Sequence, residues 1–402
     1  MTAVNSQTPK IRFPEFNGDW QQKKGGDAFK SRRDRGEEGL PLYSVTIDRG
    51  MVRRDSLDRE FASNATDESN LRAEKDDLVY NMMRMWQGAV GRAPEACMVS
   101  PAYVVLSPKV ETSPQFFEHW FKRARSIYLM WAYSYGLTKD RLRLYFLDFA
   151  RVPMALPNAD EQQKVGAFLG TLDARIEVLR DRLDALQQYK TAMLQRIFSQ
   201  NIRFKRNDGS AFPDWEEVSL GSVSKFVKGR GISKEDIIID GAVPCIRYGE
   251  LYTVYGETVS KVVSKTNSPP DSLLLSELGD VILPASGETP MDMPSAACVL
   301  TAGVALGGDI TVIRTSINGI FLAYMLRSYK RRAVARLAQG ISVVHLYGTH
   351  LASLKLVIPS DPNEQLKIAN FLIALDDKIA AVSAQVDQTQ AFKNGLLQQM
   401  FV

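Results

Sequence analysis

Apolar residues recur at Leu172, Ile176, Leu179, Leu183 and Leu186, and again at Met193 and Ile197. The same phase returns at Leu375, Ile379, Val382 and Val386, then Leu396 and Met400. Spacings that alternate four and three mark the stripe of a helix that packs on another helix. Aligning Glu161–Phe198 with Glu364–Phe401 needs no gap and leaves 14 identities in 38 positions. Each segment follows a short apolar stretch ending in proline, MALP at Pro157 and LVIP at Pro359. No further proline interrupts either one, and Asp160 and Asn363 stand where an N-cap is expected. Lys190, Lys393 and Thr389 are the polar breaks in the stripe. At 1.5 Å per residue such a helix is about 57 Å long. Its stripe would be wet if it stood alone, so the two helices are expected to pack antiparallel. The stretches between them would then sit at opposite ends. The packing residues are Leu172, Ile176, Leu179 and Leu183 on one helix and Leu375, Ile379, Val382 and Val386 on the other.

The repetition continues upstream. IRFPEFNGDW ends at Trp20 and IRFKRNDGSAFPDW at Trp215; DLVYN begins at Asp77 and DVILP at Asp280; YGLTKDRL parallels QGISVVHL. The chain therefore reads as two copies of one unit. Residues 1–155 form a first body, 156–200 a first helix, 201–357 a second body and 358–402 a second helix. LVYNMM, AYVVL, DVILP and DITVIR have the composition of short strands. FFEHWFKRAR and FLAYMLRSYKRRAVARLA have that of amphipathic helices. The expected class is α+β. Two bodies of mixed α/β structure are separated by two long antiparallel coiled-coil helices, with an internal pseudo-twofold repeat.

Composition narrows the setting. Of 402 residues, 45% are hydrophobic, enough for real cores. No apolar run reaches the roughly 18 to 20 residues of a membrane span. The first residues, MTAVNSQTPK, are polar and lack the apolar region of a secretion signal. The expectation is a cytoplasmic protein with no membrane partner. Cys97, Cys245 and Cys298 are far apart and read as reduced thiols, not as a zinc site. His119, His345 and His350 lie in no cluster at ligand spacing. The net charge of +4 permits nucleic-acid binding without arguing for it.

No catalytic signature is present. There is no GxxxxGK[ST] loop, no HExxH and no Asn-Pro-Pro-aromatic tetrapeptide. PDWEEV at Pro213 is similar to a nuclease Pro-Asp pair, but no Glu-x-Lys follows at a useful distance, and Trp20 and Trp215 make a turn before a strand the better account. Glu161-Gln162 and Glu364-Gln365 fall in the first helical turn, where dipole and capping roles are expected. Binding chemistry is richer. The first body carries Arg32, Arg33, Arg53, Arg54, Arg84 and Gln87. The second carries Lys228, Arg230, Arg247, Tyr248, Lys330, Arg331 and Arg332. Such side chains neutralise phosphates and read base edges, although any single cluster is more often a solvated face.

The arrangement resembles the DNA-specificity subunit of type I restriction-modification systems, over nearly the whole chain. The resemblance is carried by the proline-preceded EQ…FL..LD..I segments, by QGISVVHLYGTHLASLKLVIP, by the duplicated IRF…DW stretches, and by SPAYVVL and IRYGELY. It implies that each body is a target recognition domain reading one half of an interrupted site in double-stranded DNA, with the helices as spacer. It further implies two modification (methyltransferase) subunits and restriction subunits as partners. S-adenosylmethionine, ATP and Mg would be bound by those partners, and this chain would hold no cofactor, no metal and no catalytic residue. Two other classes stay open on the residues alone: a self-contained DNA methyltransferase or nuclease of unfamiliar motif, and a coiled-coil adaptor that binds only protein.

Overall fold

The computed structural model describes residues 8–56, 67–138 and 141–402. Contacts divide the chain into two units: residues up to Asp181 together with Ser383–Val402, and Arg182–Val382. Each unit therefore contains one body, the beginning of the long helix that follows it, and the closing stretch of the other long helix.

The long helices are Ala159–Phe198 and Pro362–Gln399. Their caps lie two residues earlier than expected. Asn158 Oδ1 accepts from the Glu161 N–H at 2.9 Å, and Asp361 Oδ1 accepts from the Asn363 N–H at 2.9 Å. Pro362 takes the first helical position, where a missing N–H costs nothing. Asp160 and Asn363 lie inside the first turn.

In the first unit, Gln21–Lys24 pairs antiparallel with Pro153–Leu156, so the body begins and ends side by side. Phe29–Arg32, Tyr103–Pro108, Leu78–Asn81 and Val90–Arg92 form an antiparallel sheet in that order. A second sheet orders Gly50–Arg53, Leu42–Thr46, Cys97–Val99 and Leu71–Ala73, its central pair parallel. Leu78, Val79 and Tyr80 are all buried, which is why that strand reads as an unbroken apolar run and not as an alternation. The second unit follows a similar plan. Trp215–Ser219 pairs with Lys355–Pro359. Ser224–Lys228, Ile310–Thr315, Val281–Pro284, Ala297–Val299 and Thr258–Val259 make one sheet; Ser264–Thr266, Val243–Ile246 and Ala305–Leu306 make another.

The two predicted body helices are both interrupted. FFEHWFKRAR spans two helices, Pro114–Trp120 and Ala124–Ala132, with Arg123 extended between them at ψ 144°. The break lets Phe121 fill an aromatic cluster with Phe29, Phe117 and Phe149. In the second unit Gly319–Tyr324 runs into a π turn at Met325–Tyr329 before Arg331–Leu337. The cysteines are buried and unpaired. Burial pushes the Cys97 and Cys298 thiols up to about 12 and Cys245 to about 11. No described helix is long and apolar enough to cross a membrane.

Candidate nucleic-acid interface

Each body is fastened to the start of its long helix by the same parts. Arg12 donates to both carboxylate oxygens of Glu161, at 2.7 Å each, and Trp20 Nε1 donates to the same carboxylate at 3.4 Å. In the second unit Arg203 donates to Glu364 at 2.8 and 2.9 Å, and Trp215 Nε1 at 3.2 Å. Glu161 and Glu364 are almost wholly buried, so each needs a cation, and a bidentate guanidinium supplies it with fixed geometry. The neighbouring glutamines bridge to the bodies. Gln162 accepts from the Ser113 N–H at 3.0 Å and donates to Pro157 O at 3.0 Å. Gln365 accepts from the Asn318 N–H at 2.8 Å and donates to Pro359 O at 2.9 Å. Ser113 and Asn318 are themselves the caps of body helices. The Glu-Gln pairs thus tie helix to body. Their side chains do not cap their own helix, as first-turn position alone suggested.

Within each unit the two helix portions run antiparallel. In the first, Lys393 pairs with Asp173, while Leu172 and Leu169 share a core with Leu396, Leu397, Met400 and Phe401. In the second, Lys190 pairs with Asp376 at 2.7 Å, and Met193, Leu194, Ile197 and Phe198 share a core with Ile368 and Leu372. The repeat aligns Asp173 with Asp376 and Lys190 with Lys393, so the two pairs are duplicates. The lysines that interrupt the apolar stripe are its polar pins. Along that stripe Ile176, Leu179, Leu375 and Val382 are buried, and Leu172, Leu183, Ile379 and Val386 are half-buried. A third partner differs between the pairs. His119 Nδ1 lies 3.6 Å from Asp173, whereas the Tyr324 hydroxyl donates to Asp376. Burial, assisted by Lys393, pushes His119 down to about 3, so the imidazole is neutral.

The basic candidates separate into clefts and plain surface. In the second unit Lys228, Arg230, Arg247 and Tyr248 line one open cleft of about 900 Å³, joined by Lys234. Glycines make this crossing possible. A Cβ on Gly229 would fall 2.0 Å from Gly307 O, and Gly231 has φ +63°. The Gly308 N–H donates to Gly231 O at 2.9 Å and the Gly307 N–H to Ile246 O at 2.9 Å. Cations therefore rise from a floor of close-packed backbone, with Asp236 and Asp309 as the carboxylates at the rim. In the first unit Arg32 and Arg33 line a cleft of about 850 Å³ with Arg35, Tyr103 and Tyr145. Arg32 is committed within the body: it donates to Asp77 at 2.6 Å, Asp34 at 3.0 Å and Ser107 at 3.3 Å. Arg33 and Arg35 are exposed.

The remaining candidates line neither cleft. Arg53 is exposed and pairs with Asp55 at 3.2 Å; Arg54 is half-buried beside it. Arg84 is exposed and donates to Gln87 at 3.3 Å. Lys330, Arg331 and Arg332 sit at the start of one helix, with Arg331 donating to Met291 O at 3.2 Å. Sequence reasoning missed Lys234 and the glycines of the second cleft. The GRG at Gly229 and GGD at Gly307 were the available signal, since paired glycines beside cations mark close backbone approach. Among the described residues no group of three His, Cys, Asp or Glu side chains is placed to hold a metal ion.

Residues 213–388, which include this second cleft, match the family model "Type I restriction modification DNA specificity domain". The chain resembles the type I specificity subunits. A crystal structure of the type I restriction-modification system S subunit from M. genitalium superposes with a TM-score of 0.61 at 14% identity, covering 98% of this chain and 99% of that one. A chain from a structural study of complex assembly and conformational transition of the type I R-M system gives 0.54 at 14% identity, covering 98% and 99%. At these identities the likeness is one of fold. No curated protein matches the sequence. The type I specificity domain match and the type I fold together cover both repeated bodies and both long helices.

Proposed function

We propose that this chain is the DNA-specificity subunit of a type I restriction-modification system, and that each body reads one half of an interrupted target. The observation that carries this reading is the cleft of Lys228, Arg230, Lys234, Arg247 and Tyr248, inside the stretch that matches the specificity domain. Cations there meet phosphates, and Arg247 and Tyr248 present donors to base edges. The long helices serve as the spacer between readers. The chain itself is non-catalytic and cytoplasmic. Two modification subunits bring S-adenosylmethionine, and restriction subunits bring ATP and Mg. A monomer that docks two like partners gains from presenting two like surfaces, which accounts for the duplicated clasps.

Co-expression of the full chain with its methyltransferase subunit, followed by native mass spectrometry and a methyl-transfer assay on duplex DNA, tests the proposal. Two methyltransferase subunits per chain and methylation only by the complex are expected. Methyl transfer by this chain alone would overturn the non-catalytic assignment, and a saturated one-to-one complex would overturn the duplicated docking.

A further inference from the structure

Arg247 is the first residue after the strand Val243–Ile246, and its main chain is fixed on both sides. The Gly307 N–H donates to Ile246 O at 2.9 Å, and the Glu250 N–H donates to Arg247 O at 3.0 Å. The Glu250 carboxylate is buried and collects three donors. These are the Arg247 N–H at 3.2 Å, the Ser264 hydroxyl at 2.5 Å and the Arg247 guanidinium at 3.5 Å. Ser264 stands on the neighbouring strand, opposite Cys245. A buried carboxylate fixed by two short bonds is a rigid anchor, and it limits the directions open to the arginine beside it. The guanidinium contact is long for a charge-assisted bond, and among the described residues the group meets no other acceptor. Arg247 is therefore aimed and still has donors to offer. Its half-buried side chain lines the open cleft. Arg32 of the first body differs, because Asp77, Asp34 and Ser107 already take its donors.

We propose that Arg247 reads a guanine in the half-site taken by this body, and that Glu250 is the positioning residue that presents it. The inference rests on the DNA reading proposed above and adds the base and the residue that sets its reader. A planar guanidinium fork matches two acceptors side by side. Guanine shows O6 and N7 on its major-groove edge; adenine shows one acceptor beside a donor, thymine one acceptor and cytosine a donor. Lys228, Arg230 and Lys234 are exposed on the same cleft. Such mobile cations suit phosphates, which are present in every sequence and fix only the register.

The complex of the full chain with its methyltransferase subunits is titrated with a duplex carrying the target, found by sequencing methylated sites. It is also titrated with duplexes in which each G·C pair of that target is replaced singly by A·T. Replacing the pair that Arg247 reads should weaken wild-type binding about tenfold. Arg247→Ala and Arg247→Lys should bind that duplex and the target alike. The lysine variant keeps the stem and the charge, which guards the fold, and its salt slope should match wild type. Glu250→Gln should cut the discrimination when Arg247 is present and change nothing further beside Arg247→Ala, a coupling that general destabilisation does not produce. Arg230→Ala should weaken all duplexes equally. Guanine discrimination that survives both Arg247 variants would overturn the proposal and leave the specificity assignment standing. A uniform loss over all duplexes, the mark of a phosphate contact, would do the same. Equal effects of Glu250→Gln in both backgrounds would remove Glu250 as the positioning residue. A wild-type complex that binds every duplex alike would overturn both this inference and the reading beneath it.

Discussion

In the first unit Arg12, Trp20 and Gln162 grip the start of one long helix; in the second Arg203, Trp215 and Gln365 grip the other through the same bonds. The turn before the central strand is also shared. Asp77 accepts from the Glu74 N–H at 2.9 Å and Asp280 from the Glu277 N–H at 2.9 Å. Away from these joints the units part. The residue at the Asp173 pair is a neutral histidine in one and a tyrosine at the Asp376 pair in the other. One body helix breaks at Arg123 where the other passes through a π turn. The first cleft contains an arginine already committed to Asp77; the second is floored by glycines and lined by Lys228, Arg230 and Lys234, with Arg247 paired to Glu250 at 3.5 Å. The joints of helix to body are shared, and the clefts differ, as does the third partner at each helix pair. That division is what a duplicated scaffold carrying two different readers requires.

The largest expected effect comes from breaking a clasp. Glu161→Ala or Glu364→Ala would strand a guanidinium and an indole N–H against buried surroundings, at a cost of about 3 kcal/mol each. Denaturant unfolding of the two variants should show comparable losses. A loss confined to one would show that the clasps are not energetic equivalents.

The His119 difference should appear as a pH dependence. Its folded value near 3 lies below the ordinary 6.5, so the unfolded chain binds the proton first on acidification. The contribution of the neutral imidazole is complete above about pH 6.5 and is lost as pH falls below it, by up to about 1.4 kcal/mol per pH unit. His119 faces Asp173, Lys393, Lys122 and Arg92, and only Asp173 opposes the shift. His119→Tyr, which copies the second unit, should flatten the change in melting temperature between pH 7 and 5. An equal slope in both proteins would remove His119 from the account.

A smaller effect is expected at the shared turn. Gly279 has φ 88° and Asp76, at the same place, φ 72°. Nothing crowds a Cβ on Gly279, so Gly279→Ala should cost about 1 kcal/mol from backbone strain alone, and Gly279→Asp less. Chemical denaturation of the two variants would rank them, and an alanine variant as stable as wild type would show the turns to be built differently. The smallest effects concern the clefts. Arg230→Ala should weaken random-sequence DNA binding several-fold and lower the salt slope by about one. Arg32→Ala should instead reduce stability, because its guanidinium serves Asp77. A DNA titration at several salt concentrations, paired with melting curves, separates the two.

Much of the fold is visible in the residues themselves. The 14 identities between the long segments mark the duplicated helices, and the buried runs at Leu78 and Val281 mark central strands. The clasp was half visible: Glu161, Gln162 and Trp20 recur as Glu364, Gln365 and Trp215, and so do Arg12 and Arg203 within the repeated IRF. What a linear reading lacks is the distance of about 150 residues across which Arg12 meets Glu161, so the carboxylates looked like local caps. The cleft was less legible. Charge runs such as Lys330–Arg332 outweigh isolated cations in a sequence, although Lys228, Arg230 and Arg247 are the ones a glycine crossing brings together. The helix break at Arg123 is set by where Phe121 and Arg123 find partners, and no local signal announces it.

The central claim is that each body reads its own half of one target. It is tested most directly by exchanging the segment between Ser219 and Lys355 for that of a relative. This leaves the Trp215–Ser219/Lys355–Pro359 strand pair and the Arg203–Glu364 clasp in place. Methylated sites are then sequenced in cells that supply the partner subunits. One half of the methylated sequence should change, with the other half and the gap retained; a change in both halves, or in neither, would contradict the account.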